Sequence, residues 1–311
     1  MQAPVTPDVP SWPAIDYSAW SATCDTLRTE VQVLGKLALA LAPPEPQLQH
    51  GALRLTARGW ETPPLRAPDG SGTVVVALDL RRHEAVVEHL DGREERVALT
   101  PGRRVADVTS DVLAAVRALA GQVDISMTPQ ETPWTTPLDR DTERGAYEPA
   151  DAARYLLAAN QAAHVLSEFR APFRGRATPV NAWWGSFDLA VSLFSGRPAE
   201  PPSQDFIYRN SMDAEEIAVG WWPGDQRYPR AAFFAYAYPP PDGVADTRVT
   251  PGRWDADMRL FLYDWEDGRV AADPHQAALA FLRSFADGAC QLCAWEPGLA
   301  GSLRGMPPPV S

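Results

Sequence analysis

The chain is poor in lysine. Of its 28 basic residues 27 are arginine and one is lysine, Lys36, and the net charge is −12. No basic block occurs, which excludes the broad electrostatic footprint of a nucleic-acid or membrane-surface binder. Cysteine is scarce too: Cys24, Cys290 and Cys293 are too few, and odd in number, for a disulfide framework. Cys290 and Cys293 have a metal or redox spacing, but no second pair follows and they fall late in a helical stretch. The plainer reading is helix-face packing. Long apolar runs are missing: the longest clean aliphatic one, Leu37–Ala42, is far short of a membrane span. Met1–Pro13 has no basic residue and no apolar core, so no signal peptide is expected and the chain is expected to be cytoplasmic.

Familiar cofactor signatures are absent as well. No Gly-x-Gly-x-x-Gly, phosphate loop, Gly-x-Ser-x-Gly or His-Glu-x-x-His occurs, so nicotinamide, ATP and serine-hydrolase chemistry have no support. The five histidines, His50, His83, His89, His164 and His275, show no ligand spacing. His83 and His89 are expected to be solvated. The expectation is a protein with no cofactor and no metal.

What is present is 311 residues, 45% of them apolar, enough for one large unit or two ordinary ones. Helical spacing predicts four helices, over Ser18–Gln32, Ser110–Leu119, Pro149–Phe169, and one capped by Asp273 with Pro274 at its first position. Strand-like runs fill Val33–Leu41, Ala52–Trp60, Thr73–Arg82, Glu84–Leu90 and Arg96–Leu99, with a turn at Asp91-Gly92. A second set is Ala182–Phe194, Glu216–Trp222, Ala231–Tyr238 and Met258–Tyr263. The order helix, strands, helix thus occurs twice. Gly35-Lys36-Leu37-Ala38-Leu39-Ala40-Leu41 also resembles Gly185-Ser186-Phe187-Asp188-Leu189-Ala190-Val191, with a proline-rich loop after each. The expected fold is α+β: two similar halves from a pseudo-duplication, each an antiparallel sheet with two helices. The expected boundaries are residues 1–127, a Pro/Thr-rich linker at 128–148, a second half at 149–300, and a flexible tail at 301–311.

Strand alternation selects candidate site residues. Ser186, Asp188, Ala190 and Ser192 share one face, opposite Phe187, Leu189, Val191 and Leu193. If Val33–Leu41 is a strand, Lys36 takes the place of Ser186 in the first half. Arg54 and Arg58 alternate with Leu53 and Leu55. Lys36, Arg54 and Arg58 could grip an anion, because guanidinium forks match its oxygens. Asp188 and Glu215 could move a proton. Trp184, Trp222 and Tyr236 could wall a pocket for an organic molecule. The plainer alternative is that each polar face meets water.

Pro179–Asp188, with Pro-Val-Asn-Ala-Trp-Trp-Gly-Ser-Phe-Asp, and Gly220–Gly224, with Gly-Trp-Trp-Pro-Gly, resemble a bacterial family, domain-of-unknown-function family 5996. Trp12-Pro13, Gly35-Lys36, Thr56-Ala57-Arg58-Gly59 and Phe169-Arg170 resemble it too, so the likeness spans nearly the whole chain. It implies no established activity. Where the family reads His, this chain has Asn181; where it reads Ser-His-Glu, this chain has Asp213-Ala214-Glu215; of a further histidine pair only His50 remains. The resemblance therefore describes a divergent member lacking most of the family histidines. Lys36, Arg58, Trp184, Ser186, Asp188, Glu215 and Trp222 match the family's pattern, and His50 and Asn181, at family histidine positions, join the substrate-binding candidates.

The combined expectation is a metal-independent tailoring enzyme of secondary metabolism. It would act on a small anionic substrate, such as a sulfate or phosphate ester, by elimination or intramolecular ring closure. Asp188, Glu215 and Lys36 would be catalytic. Arg54, Arg58, His50, Asn181, Trp184, Ser186, Trp222 and Tyr236 would bind substrate. The alternative is a non-catalytic subunit or small-molecule-binding module paired with an active homologue.

Overall fold

Trp20, Cys24, Leu27, Val31, Leu34 and Ala38 recur every three or four residues and are all buried. That period carries one helix, α1 (Tyr17–Leu41), through the stretch read above as a strand. The alternating Leu and Ala of residues 37–41 mimic a strand pattern. Yet both are strong helix formers, and none of these residues is β-branched. Asp16 caps α1 by accepting a hydrogen bond from the Ser18 amide at 3.0 Å. Lys36 is therefore helical, and its proposed equivalence with Ser186 fails.

The computed structural model describes residues 12–304. After α1 come β1 (Arg54–Leu55), β2 (Gly59–Glu61), β3 (Leu65–Arg66), β4 (Thr73–Asp79), β5 (Glu84–His89), β6 (Glu94–Ala98) and α2 (Val105–Ala120). The second half holds α3 (Pro149–Arg170), β7 (Asn181–Trp183), β8 (Asp188–Pro198), α4 (Phe206–Ser211), β9 (Ala214–Trp222) and β10 (Ala232–Tyr238). It ends with β11 (Arg253–Asp255), β12 (Leu260–Asp264), α5 (Trp265–Arg269), α6 (Pro274–Leu292) and α7 (Pro297–Gly301).

Each half contains a six-stranded antiparallel sheet, ordered β1-β2-β4-β5-β6 with β3 on β4, and β11-β12-β10-β9-β8-β7. The protein is an α+β fold of two similar halves. Each half has two long helices, α1 and α2 or α3 and α6. The sheets meet edge to edge: Leu53, just before β1, exchanges two backbone hydrogen bonds with Ala182 of β7, at 3.1 and 3.0 Å. The main hydrophobic core runs from Trp12 to Leu303 through both halves, and a smaller cluster of Ala190, Trp222, Ala232, Phe234 and Leu262 lies on the other face of the second sheet.

Residues 128–148, read above as a linker, are packed in place: 128–131 lie pinned along α1, and 141–145 bond to the start of α2. Three α1 side chains, spaced four residues apart and so on one face, hold the backbone carbonyls of this strap. Lys36 Nζ donates to Thr128 at 2.7 Å, Gln32 Nε2 to Gln130 at 2.9 Å, and an Arg28 Nη to Glu131. The Gln130 amide returns a bond to Gln32 Oε1 at 2.9 Å.

Two further expectations change. His89 is buried and shares a hydrogen bond with the Ser71 hydroxyl, so it is not solvated. Residues 301–304 are helical rather than a tail, and 305–311 lie outside the described residues. Cys290 is buried on α6 and Cys293 ends that helix; burial pushes their thiols up to about 12 and about 11, the opposite of reactive thiolates.

Candidate functional site

The second sheet turns one face to α3 and α6 and the other to a cleft of about 700 Å³. The alternation of its strands sets this up. On β8, Leu189, Val191 and Leu193 are in the core, while Asp188, Ala190 and Ser192 line the cleft. On β9, Ile217, Val219 and Trp221 are core, while Glu216, Ala218 and Trp222 line it. Phe234 and Tyr236 of β10 complete the floor. Small residues at 190 and 218 leave the room. At Gly220 even a methyl group would run into the Phe234 ring, so that ring lies directly on the strand.

The walls come from elsewhere. Helix α1 contributes Asp25, Arg28 and Leu39; the strap contributes Gln130–Trp134; Gln47–Gln49 and the short helix α4 close two further sides. At the mouth, α4 leaves Phe206 51% and Tyr208 46% exposed.

Asp188 sits at the α1 end of the floor. Phe187 precedes it in a left-handed conformation, φ 62°. Such a conformation is costly for a large side chain, of order 1–2 kcal/mol. Here it swings the Phe187 ring inward, 5.0 Å from Trp60 and 5.2 Å from Tyr155, while Ser186 and Asp188 stay on the cleft side. The Ser186 hydroxyl donates to Asp188 Oδ1. Burial pushes the Asp188 carboxyl up to about 7, more than the Ser186 hydrogen bond holds it down, and Glu131 adds to the rise. Glu131 itself reaches over Gly185, where any side chain would strike its carboxyl.

Glu216 sits at the other end. It is 4% exposed, and burial lifts it to about 7 against the neighbouring Ser192 hydroxyl. Glu216 pairs with Phe194 across the ladder, six residues from Asp188 on β8. At 3.3 Å per residue their backbone positions are ~20 Å apart along the strand, and neither carboxyl is among the charges acting on the other, so the two act separately.

Several sequence candidates fall outside the cleft. Lys36 lies behind its wall, with Nζ 5.4 Å from the Trp184 ring centre, and burial lowers its ammonium to about 8. Arg58 is held by Glu61 at 2.7 Å and Glu88 at 3.0 Å on the first sheet. Arg54 donates to Asn181 Oδ1 at 2.8 Å, and Asn181 donates onward to Gln49 Oε1 at 2.8 Å. His50 Nδ1 accepts from the Glu45 amide at 3.0 Å. None of these five lines the cleft. Glu215 faces the core side of β9, bonded by Arg197 and by Trp295 Nε1. Burial would raise its carboxyl, but these two bonds more than offset it and hold it low. Trp184, Ser186, Asp188, Trp222 and Tyr236 do line the cleft.

The charges that remain favour the negative. Asp25, Glu131, Asp188, Glu216 and Asp225 line the cleft against Arg28 and Arg227. Arg227 is tied to Asp225 at 3.1 Å, and Arg28 is buried against the carbonyls of Gly185 and Glu131. The three cations expected to hold an anion are not there.

The model of one family, described as a family of unknown function, matches residues 12–301. The chain belongs to DUF5996. No curated protein and no solved structure matches it. In this DUF5996 member the family match takes in both sheets, α1, the strap and every cleft wall. Among its described residues no helix is long and apolar enough to cross a membrane. Nor is any group of three or more His, Cys, Asp or Glu among them arranged to hold a metal ion.

Sequence reasoning missed Glu216 and the strap. The signal for Glu216 was available: in Glu216–Trp222 the residues alternating with Ile217, Val219 and Trp221 are Glu216, Ala218 and Gly220. The strap has no period to read, because it is held by side chains of α1.

Proposed function

We propose that this protein is an enzyme that modifies a small organic molecule in the cleft by a proton transfer at Asp188. One observation carries this reading. A carboxyl buried on the cleft floor, partnered by one hydroxyl, has its pKa lifted to about 7. A group balanced near neutral pH can both accept and return a proton, which is where general acid–base catalysis works best. Ser186 orients the carboxyl, and the aromatic walls exclude water from the reacting atoms. A tailoring reaction on a finished metabolite fits this arrangement. With Lys36, Arg54 and Arg58 outside the cleft, nothing in its lining favours an anionic ester.

The test is conversion. The purified protein is incubated with a pooled library of amines, amino acids, hydroxy acids, and sulfate and phosphate esters, and the mixture is followed by mass spectrometry. Wild type should convert at least one compound, and Asp188→Asn should be slower by about 100-fold or more. If wild type converts nothing, or the variant matches it, the reading fails.

The alternative, a binding module working with an active homologue, draws on the mouth of the cleft. There Phe206 and Tyr208 offer an apolar rim that a partner could cover. It predicts a compound that binds and leaves unchanged.

A further inference from the structure

Glu216 has no role in proton transfer at Asp188, yet it is the more isolated acid. It is 4% exposed and lines the cleft. Among the described residues no cation pairs with it; its one donor neighbour is the Ser192 hydroxyl, and the charged group that acts on it, Asp213, is another acid. Asp213 is occupied by Gln47 Nε2, which in turn holds Arg176 through Oε1, so the nearby polar groups are already matched among themselves. A buried carboxyl without a counter-charge costs free energy that a bound cation would recover.

An aromatic strip leads to it. Trp222 meets Phe234 edge to face, with ring centres 5.6 Å apart, and Phe234 stacks on Tyr236 at 6.4 Å. Tyr236 stands opposite Ala218 in the ladder, two residues from Glu216 on the same face. Aromatic faces are electron-rich and attract ammonium groups, while their area accepts an apolar or aromatic body.

The geometry points to a binding subsite for an organic ammonium: its charge pairs with Glu216 beside Tyr236, and its apolar stem lies along Phe234 and Trp222. This names the substrate class for the cleft and rests on the reading that the cleft holds a small molecule. It does not depend on catalysis at Asp188, which lies at the opposite end of the floor.

Three probes with one aromatic body separate the possibilities. Tryptamine is cationic, N-acetyltryptamine is neutral, and indole-3-propionate is anionic. Each is titrated into the full chain at pH 7.5, with binding followed by calorimetry. Tryptamine should bind at least tenfold tighter than the neutral probe, and the anion should bind weakest. Glu216→Gln should weaken tryptamine at least tenfold and leave the neutral probe within twofold. Conversion is read on Asp188→Asn and amine binding on Glu216→Gln, so loss of conversion and loss of amine binding are separate results. No tryptamine binding at millimolar concentration, or an anion bound as tightly as the amine, overturns the proposal. The probe comparison on wild type decides even if Glu216→Gln fails to fold.

Discussion

The Lys36 ammonium stands 5.4 Å from the centre of the Trp184 ring and donates to the Thr128 carbonyl at 2.7 Å. One side chain thus fastens a cleft-lining indole and the strap that forms the neighbouring wall. Its role is to position both, from a layer behind the site. Lys36→Met keeps the stem and removes both interactions. A hydrogen bond from a charged donor contributes about 1.5–3 kcal/mol and a partly buried cation–aromatic contact about 1. Stability to denaturant should fall by about 2 kcal/mol, and amide exchange in residues 128–134 should quicken. Unchanged exchange there would refute the pinning role.

Gly35 gives a sign reversal. Alanine in place of a mid-helix glycine normally stabilises by about 1 kcal/mol. At Gly35 a methyl group would run into the Trp184 indole. Gly35→Ala should therefore destabilise, by about 1–3 kcal/mol as overpacking does, and shift tryptophan fluorescence. A more stable variant would mean the indole moves aside freely.

Stability should fall as pH rises. Asp188 and Glu216 both titrate near 7 in the folded chain, raised by burial, against about 4 when unfolded. Below pH 4 both states hold these protons, so there is no penalty. Between about 4 and 7 the unfolded state sheds them and the folded state does not, and the difference erodes stability. The melting temperature should drop from pH 5 to pH 8. Asp188→Asn, which cannot ionise, should drop less over the same range; an equal drop would place the Asp188 pKa elsewhere.

Glu215 and Glu216 are neighbours with opposite assignments. Glu215→Gln loses the ion pair to Arg197 but should leave amine binding within twofold, because Glu215 faces α6 and Trp295. Its cost is stability alone, about 1 kcal/mol for a pair half exposed on the arginine side. A tenfold loss of binding would show that the two strand faces communicate.

Sequence legibility followed the source of each constraint. The α3 and α6 helices, the Asp91-Gly92 turn and the core face of β8 depend on local period and capping, and all were readable. Alternation puts Asp188 on the face that lines the cleft without knowing what covers it, and Trp184, Trp222 and Tyr236, candidates from an aromatic cluster, line the same cleft. Residues 33–41 misled because Leu and Ala alternate by chance at a strand period, while the burial that decides the matter comes from contacts far along the chain. Lys36, Arg54 and Arg58 group together on strand alternation and charge chemistry, and for Lys36 the strand itself is absent. Sequence does not show that each already has a partner: Thr128, Asn181, or Glu61 with Glu88.

The Leu53–Ala182 bridge has a consequence for how the chain can be handled. It joins two sheets into one run whose outermost strands are β6, with Glu94, Glu95 and Arg96, and β11, with Arg253 and Asp255. Charge on a rim discourages another chain from adding on. The inner rims at β1 and β7 are short, and they depend on each other. Cutting the gene between its halves would uncover both at once. Each fragment would then carry an unpaired backbone margin, guarded by a single charge, Arg54, on β1 and by none on β7, so co-expressed fragments should recover folded protein where single ones clump.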